Sequence, residues 1–426
     1  MNVLVFRWGS LSDEDMIEAM EATGHRVTQF SWNMKDYEND VTLERQLLSI
    51  FLGGGFSYVF SFNYIPVLAK FCHWVKIPYV SWVYDSPHLT LYSDTTLFEE
   101  NRIFHFDKVM VERLKAQGVK HVFHMPLAVN EKRLEQLSVS EAEEGTKQEE
   151  AVIQGTQNYR HEISFLGTLY EDNPYDSIYS FPEYLKGYLD GVLAMQSRVR
   201  GNVYGEKSGS ETMGRKERDF GQKLLLEALN EERMHEILSC VKFSLKELYP
   251  MSDDRQVFLD MFLLRKTANL ERSRMLKLIA GQHENVAVYT GSDTGQFPGI
   301  INMGYADYRK DMPKVFAESK MNLNLSLRTI TSGIPLRVFD IMGAGGFVLT
   351  NDQPELSELF VEGEDYEAFR SEEEMLGKID YYLLHEEERK KIAENGCRKV
   401  RSSHTYTERI RQIERELGCE EGGCNA

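Results

Sequence analysis

The chain has 426 residues, 42% hydrophobic and 27% charged, close to an ordinary globular balance that excludes a wholly disordered, collagenous or coiled-coil protein. At about 150 residues per domain it allows two or three domains. Its 67 acidic and 49 basic residues leave a net charge of −18, which argues against a broad nucleic-acid or anionic-membrane face and still permits a local basic pocket. Five thinly spread cysteines suit a reducing compartment better than a disulfide scaffold. Asn2-Val3-Leu4-Val5-Phe6 reads as a first core strand and not as a leader. No stretch approaches the roughly 20 apolar residues of a spanning helix. The expectation is a cytoplasmic protein, with peripheral membrane association left open.

Over the first 130 residues, apolar runs alternate with helical patterns. Val3–Phe6 reads as a strand and Asp13–Thr23 as a helix whose opening acids match its dipole. Arg26–Trp32, Tyr58–Phe62, Pro78–Tyr84 and Lys108–Val111 read as further strands, and Tyr64–Trp74 as a helix. This alternation predicts a parallel sheet with right-handed crossovers. Ligands of such sheets sit at the carboxyl ends of strands. That rule singles out Trp8-Gly9-Ser10, Ser61-Phe62-Asn63 and Asp85-Ser86-Pro87-His88.

Residues 131–160 are acidic and polar and read as an interdomain linker. Ile163–Gly167 resumes as a strand. Residues 181–282 then have helical periodicity, clearest over Leu224–Ile237 and Val257–Ile279. Val286–Tyr289, Met321–Leu325 and Phe347–Leu349 read as strands, with helices over Lys314–Ser319 and Leu336–Met342 and a charged helical stretch from Glu372. The predicted architecture is α/β, with two Rossmann-like domains facing across a cleft. Residues 1–130 form a first Rossmann-like domain and 131–160 a linker. Residues 161–403 form a second Rossmann-like domain with a helical insert at about 181–282. A helical tail, 404–426, can cross back to the first domain.

Residues 326–350 carry most of the functional information. Thr331-Ser332-Gly333 is a polar turn, and Pro335 suits a first helical turn, where a missing N–H costs nothing. A helix then runs to Met342 and is stopped by Gly343, Gly345 and Gly346. Its free N–H groups and positive dipole end make an anion site. Arg337 and Asp340 share a face. Gly333 lies about 10 Å before Asp340, a span that suits a diphosphate at the helix start and a ribose at the carboxylate. The same residues also read as a capped helix between two strands, with Arg337 and Asp340 as a local ion pair.

The segment resembles the nucleotide-sugar site of two-domain GT-B glycosyltransferases, close to the broad family 4 group. Gly304-Tyr305, Tyr308, Met312-Pro313, Asn322-Leu323-Asn324-Leu325-Ser326 and Ser332-Gly333-Ile334-Pro335-Leu336-Arg337 with Asp340 resemble more closely the CgeB-like, spore-maturation glycosyltransferases, as does His404-Thr405-Tyr406. Ser61–Pro66 and Ile77–Pro87 resemble the domain of uncharacterised function that often precedes that module. The resemblance implies a nucleoside-diphosphate sugar donor, a glycan, protein or cell-surface acceptor, and neither metal nor other cofactor. In the family 4 pattern two glutamates stand eight positions apart. Asp340 falls on the second, the ribose contact, and Ser332 on the first, so that carboxylate is missing. The Gly333-Ile334 backbone can still bind phosphate. The basic residues that the pattern places after the first strand of the second domain are not evident after Gly167-Thr168. Arg328 and Arg337 therefore stand in as the cations for a departing diphosphate, and both also read as ion-pair arginines.

Glycosyl transfer needs preformed positive charge where the leaving phosphate becomes negative. It also needs a base within reach of the acceptor hydroxyl. Asp85 is the candidate base and His88 a weaker second, although Asp85 also reads as an Asx-turn start. Asn63 and Gly9 join them on the acceptor side. Tyr289, Gly291 and Tyr305 are candidate walls for the nucleotide base. Asp13-Glu14-Asp15 reads as a helix opening and not as a metal site, and no His/Cys spacing suggests zinc. Two alternatives keep the same fold: a nucleotide-sugar epimerase or hydrolase, and a non-catalytic nucleotide-sugar-binding or interaction protein.

Overall fold

A computed structural model describes residues 1–135, 159–198, 222–241 and 249–418. The linker expected at 131–160 falls mostly outside the described residues, as do parts of the expected insert (199–221 and 242–248) and the end of the tail (419–426). The chain divides into two compact units. The first comprises the described residues within Met1–Gln136, Lys246–Ser252 and Val400–Ala426, and the second those within Leu137–Leu245 and Asp253–Lys399.

In the first unit, β1 (Asn2–Arg7), β2 (Arg26–Ser31), β3 (Tyr58–Phe62), β4 (Tyr79–Val83), β5 (Asn101–His105) and β6 (Val122–His124) form one parallel sheet in the order β2-β1-β3-β4-β5-β6. Helices cover both faces, so β3 and β4 are buried along their whole length, as parallel strands usually are. Leu4 and Phe6 pack with Leu43 and Leu47 of the Val41–Phe51 helix and with Leu68 and Phe71 of the Pro66–Val75 helix. The Tyr406–Glu416 helix packs on the Asp13–Ala22 helix, and Tyr406 meets Trp82 edge-on at 5.6 Å. Asp15 holds Arg133 in a buried ion pair at 3.0 Å.

The expected strand at Lys108–Val111 is instead the first turn of a helix, Lys108–Ala116. Asp107 caps it by accepting from the Val109 and Met110 N–H groups, and this cap outweighs the strand character of a three-residue apolar run. The fifth strand is Asn101–His105, whose Asn101 and His105 hide its β pattern. The Val41–Phe51 helix also went unpredicted, although Asp40 caps it at the Leu43 N–H (2.9 Å).

In the second unit, β7 (His161–Leu166), β8 (Val286–Tyr289), β9 (Ile300–Asn302), β10 (Ser319–Asn324), β11 (Val348–Asn351) and β12 (Glu367–Phe369) form a second parallel sheet in the order β12-β11-β10-β7-β8-β9. Ile163, Phe165, Val286, Val288, Met321 and Leu323 line its core. The insert builds a separate cluster from Leu185, Leu189, Leu193, Leu225, Ile237 and Phe258. Its last helix runs from Asp254 to Ala280 through one π turn at Leu259–Leu263. The Glu386–Ser403 helix carries the chain out of this unit.

Two packing details generate tests. Gly396 lies inside the Glu386–Ser403 helix, where a Cβ would clash with the Asp365 carbonyl and sit 2.8 Å from Met342 Cε. Helix propensity alone favours Gly396→Ala by about 1 kcal/mol. Overpacking should reverse that sign and cost about 1–3 kcal/mol, read as a lower denaturant midpoint. Asp13 is 1% exposed, and neither of its carboxylate oxygens has a hydrogen-bond partner. Burial pushes its pKa up to about 6, opposed by Arg7 at 3.7 Å and aided by Glu14. The folded state therefore holds this proton more tightly than the unfolded chain, and the contribution to stability falls as pH rises from about 4 to about 6. Asp13→Asn should remove that slope, so that its Tm gains on the wild type across this window and the difference is flat above it.

Candidate functional site

In the second sheet the strand order reverses between β7 and β10, so their carboxyl ends diverge and leave the crevice where open α/β sheets bind ligands. Arg272, from the last helix of the insert, spans it. Its guanidinium donates to Thr168 O after β7 (2.6 Å) and to Leu325 O after β10 (2.5 Å). It also lies over the Tyr170 and Phe165 rings, at 4.9 and 5.4 Å. Gly167 keeps the approach open, with a φ of 157° and its Cβ position only 3.4 Å from Arg272 Nη1.

The loop after β10 leads into the Leu336–Gly343 helix, whose N-cap is Pro335. Proline has no side-chain acceptor, and no side chain caps this helix. Its start is thus left to the dipole and to whatever anion approaches. Gly333 and Ile334, just before it, are buried. Asp340 is 9% exposed and accepts from the Tyr308 hydroxyl at 3.2 Å, with Arg337 at 3.7 Å. Arg337 also donates to Met312 Sδ (2.8 Å) and lies 5.5 Å over the Phe316 ring. Burial lowers its pKa and Asp340 opposes the shift. The local pair anticipated in the sequence therefore forms, with Arg337 turned onto the Met312–Ala317 helix.

Two further residues behave differently from expectation. Arg328 is buried in an ion pair with Glu271, donates from Nε at 2.8 Å, and also reaches Gln196 O at 3.0 Å. Its charge is neutralised inside the fold, against the expected role at a leaving group. Ser332 is 1% exposed and donates to Glu355 Oε1 at 2.6 Å, while the Glu355 N–H donates back to Ser332 O at 3.1 Å. A carboxylate from the loop after β11 thus stands beside the position where the sequence lacks one. Of the expected base walls, Gly291 is exposed and open, and Tyr305 is 76% exposed. Tyr289 is buried, with its hydroxyl 2.9 Å from Nε2 of His161 at the opposite end of β7, so its ring belongs to the core.

In the first sheet the order reverses beside β1, and the residues singled out there do meet. Asn63, in a left-handed conformation (φ 58°), donates from Nδ2 to Asp85 Oδ2 at 2.7 Å. Its Oδ1 accepts from the Tyr84 and Asp85 N–H groups, at 3.1 and 3.3 Å. Asp85 is exposed, held in place by a buried amide. Gly9 (φ 101°) opens the neighbouring turn, with Ser10 Oγ 2.9 Å from the Tyr84 hydroxyl. His88 faces inward: Nε2 lies 3.0 Å from Tyr64 O and 2.7 Å from Thr90 Oγ1. Burial lowers its pKa. These contacts count against His88 as the base.

Sequence reasoning missed Arg272 and Glu355. Arg272 reaches the crevice from the insert and Glu355 reaches Ser332 from the loop after β11, and neither belongs to a local motif. Together the residues of the second unit offer an uncapped helix start, a fixed guanidinium and a carboxylate, a set suited to a nucleotide phosphate and its ribose. Among the described residues, no group of three His, Cys, Asp or Glu is placed to hold a metal ion. No described helix is long and apolar enough to cross a membrane.

Residues 265–415 match a family model described as glycosyl transferase-like, a stretch that includes Arg272, Ser332, Asp340 and Glu355. No curated protein matches the chain. Similar solved structures include sucrose-phosphate synthase from Thermosynechococcus elongatus, with 9% identity, coverage of 98% of this chain and 99% of that one, and a TM-score of 0.48. A glycosyltransferase from Rickettsia africae has 12% identity, 99% coverage of both chains and a TM-score of 0.46. Anabaena HepE in complex with UDP and glucose has 10% identity, coverage of 99% of this chain and 100% of that one, and a TM-score of 0.47. Within this α/β chain the stretch 265–415 is thus similar to a glycosyl transferase-like family.

Proposed function

We propose that this protein is a glycosyltransferase of the GT-B type, related to the CgeB-like group, that moves a sugar from a nucleoside-diphosphate sugar to a glycan or protein acceptor. The observation that carries the reading is the coincidence of the glycosyl transferase-like stretch with Arg272 and the uncapped helix start at the β7–β10 reversal. Breaking the glycosidic bond leaves negative charge on the departing diphosphate. The helix start at Gly333-Ile334 and the Arg272 guanidinium are fixed donors for that charge, and they need little reorganisation as it develops. We assign the neutralisation to these protein groups, with no metal in the reaction. Asp340 accepts from the ribose hydroxyls, and Arg337 and Tyr308 hold its carboxylate in place. Asp85, oriented by Asn63, takes the proton of the acceptor hydroxyl.

A second reading is a protein that binds the donor without transferring it. The absence of a carboxylate at Ser332 and the neutralised Arg328 favour it, and it predicts donor binding with no turnover across an acceptor panel.

Calorimetry against UDP, GDP, TDP and their sugars should find one nucleoside diphosphate that binds. Asp340→Ala should weaken it about ten- to a hundredfold, as expected for a lost charged hydrogen bond. Unchanged affinity in a folded variant refutes the ribose contact. Arg272→Ala should lower kcat by about a hundredfold or more, with a smaller effect on donor affinity. Asp85→Asn should leave donor binding intact and abolish most transfer, and wild-type transfer in that variant removes Asp85 as the base.

A further inference from the structure

At the amino ends of the strands of the second unit lies a cavity of about 240 Å³. The six residues of β10 separate it from the Arg272 crevice by roughly 20 Å. Ser319 and Lys320 at the start of β10, Tyr159 ahead of β7, and Arg389 and Lys390 of the Glu386–Ser403 helix contribute to its wall.

Arg389 is the unusual member. It is 1% exposed, yet among the described residues it is hydrogen-bonded to no carboxylate, and Glu386, which pairs with Lys390, acts on it only through space. Nη1 donates to Tyr382 O at 2.8 Å and the guanidinium lies 5.2 Å over the Tyr159 ring, while Nη2 is buried with no hydrogen-bond partner. Other buried arginines meet a counter-charge or more partners: Arg133 pairs with Asp15 and Arg328 with Glu271, and Arg409 donates to two carbonyls with His404 beside it. The acids near the cavity pair with other cations or make no pair with the guanidinium. Glu162 pairs with Lys320 at 3.0 Å and Glu386 with Lys390 at 2.8 Å, and Glu394 lies exposed at the wall without pairing to Arg389. A guanidinium stays protonated at every physiological pH, so burial cannot neutralise it as it would a lysine. A buried charge without a counter-charge is strongly unfavourable, and an anion in the cavity would supply one.

We propose that this cavity binds a small phosphate-bearing anion, either inorganic phosphate or a small phosphorylated metabolite, whose oxygens accept from Arg389 with Lys320 and Lys390 beside them. The volume lies below the roughly 300–1,000 Å³ typical of drug-sized ligand sites, which sets the size class. The fork geometry of Arg389 matches a phosphate face. The site is separate from the donor crevice and does not depend on the glycosyltransferase reading.

The test uses the full-length protein, with inorganic phosphate and a hexose monophosphate titrated against chloride at matched ionic strength, followed by calorimetry and thermal shift. A ligand that binds only the folded state should raise Tm saturably. Lys320→Gln, a change at a partly exposed side chain, should raise the Kd about tenfold without altering the unliganded Tm. Arg389→Met should abolish the saturable response and, by removing an unpaired buried charge, leave the unliganded Tm equal to or above that of the wild type. Tighter binding of the hexose monophosphate than of inorganic phosphate identifies a phosphorylated metabolite as the occupant, and the reverse order identifies the free ion. The proposal is overturned by no saturable response beyond matched chloride to either probe, or by a response that Lys320→Gln leaves unchanged. A response in a folded Arg389→Met variant equal to that of the wild type also overturns it.

Discussion

A parallel sheet that winds first one way and then the other must part its strand ends where the direction changes, and in the second unit that parting falls between β7 and β10. Arg272 bridges the two carbonyls left there, Thr168 O and Leu325 O, and so sets a fixed positive charge in the crevice. Its position rests on the long helix of the insert, whose buried Met275, Leu276 and Ile279 pack into the core of the sheet. The helical insert thus contributes a side chain to the site, although it lies far from residues 326–350 in the chain.

The buried charges divide by whether the fold already supplies their partners. Arg133 and Arg328 each meet a carboxylate, and their charges serve to hold segments together. Asp13 and Arg389 are held less completely: Asp13 by one arginine at 3.7 Å, and Arg389 by one carbonyl and one aromatic ring. A buried carboxyl can relieve its burial by taking up a proton, and the raised pKa of Asp13 reflects this. A guanidinium has no such recourse.

Much of the fold was legible from one-dimensional pattern. β1, β3 and β8 are short apolar runs bounded by polar turns, and such runs survive as strands because both sheet faces are covered. The pattern failed where local chemistry opposed it. Lys108–Val111 has the composition of a strand but follows a capping aspartate, and Asn101–His105 has polar ends but is buried at the centre of pairing with β4 and β6. In the candidate site, the Leu336–Gly343 helix and the Arg337–Asp340 pair could be read from spacing, because helical neighbours three residues apart share a face. Arg328 could not be sorted between a free cation and an ion-pair member, because its partner lies 57 positions away.

The sequence by itself determined the class of fold, the ends of strands such as β1, β3, β4 and β8, and the helix start that suits an anion, because each follows from periodicity and turn chemistry within a dozen residues. Tertiary structure alone decided how each charge is partnered. Arg272, Glu355 and Arg389 take their meaning from neighbours brought together by strand order, and the energy of a buried charge depends on distances that no linear pattern encodes.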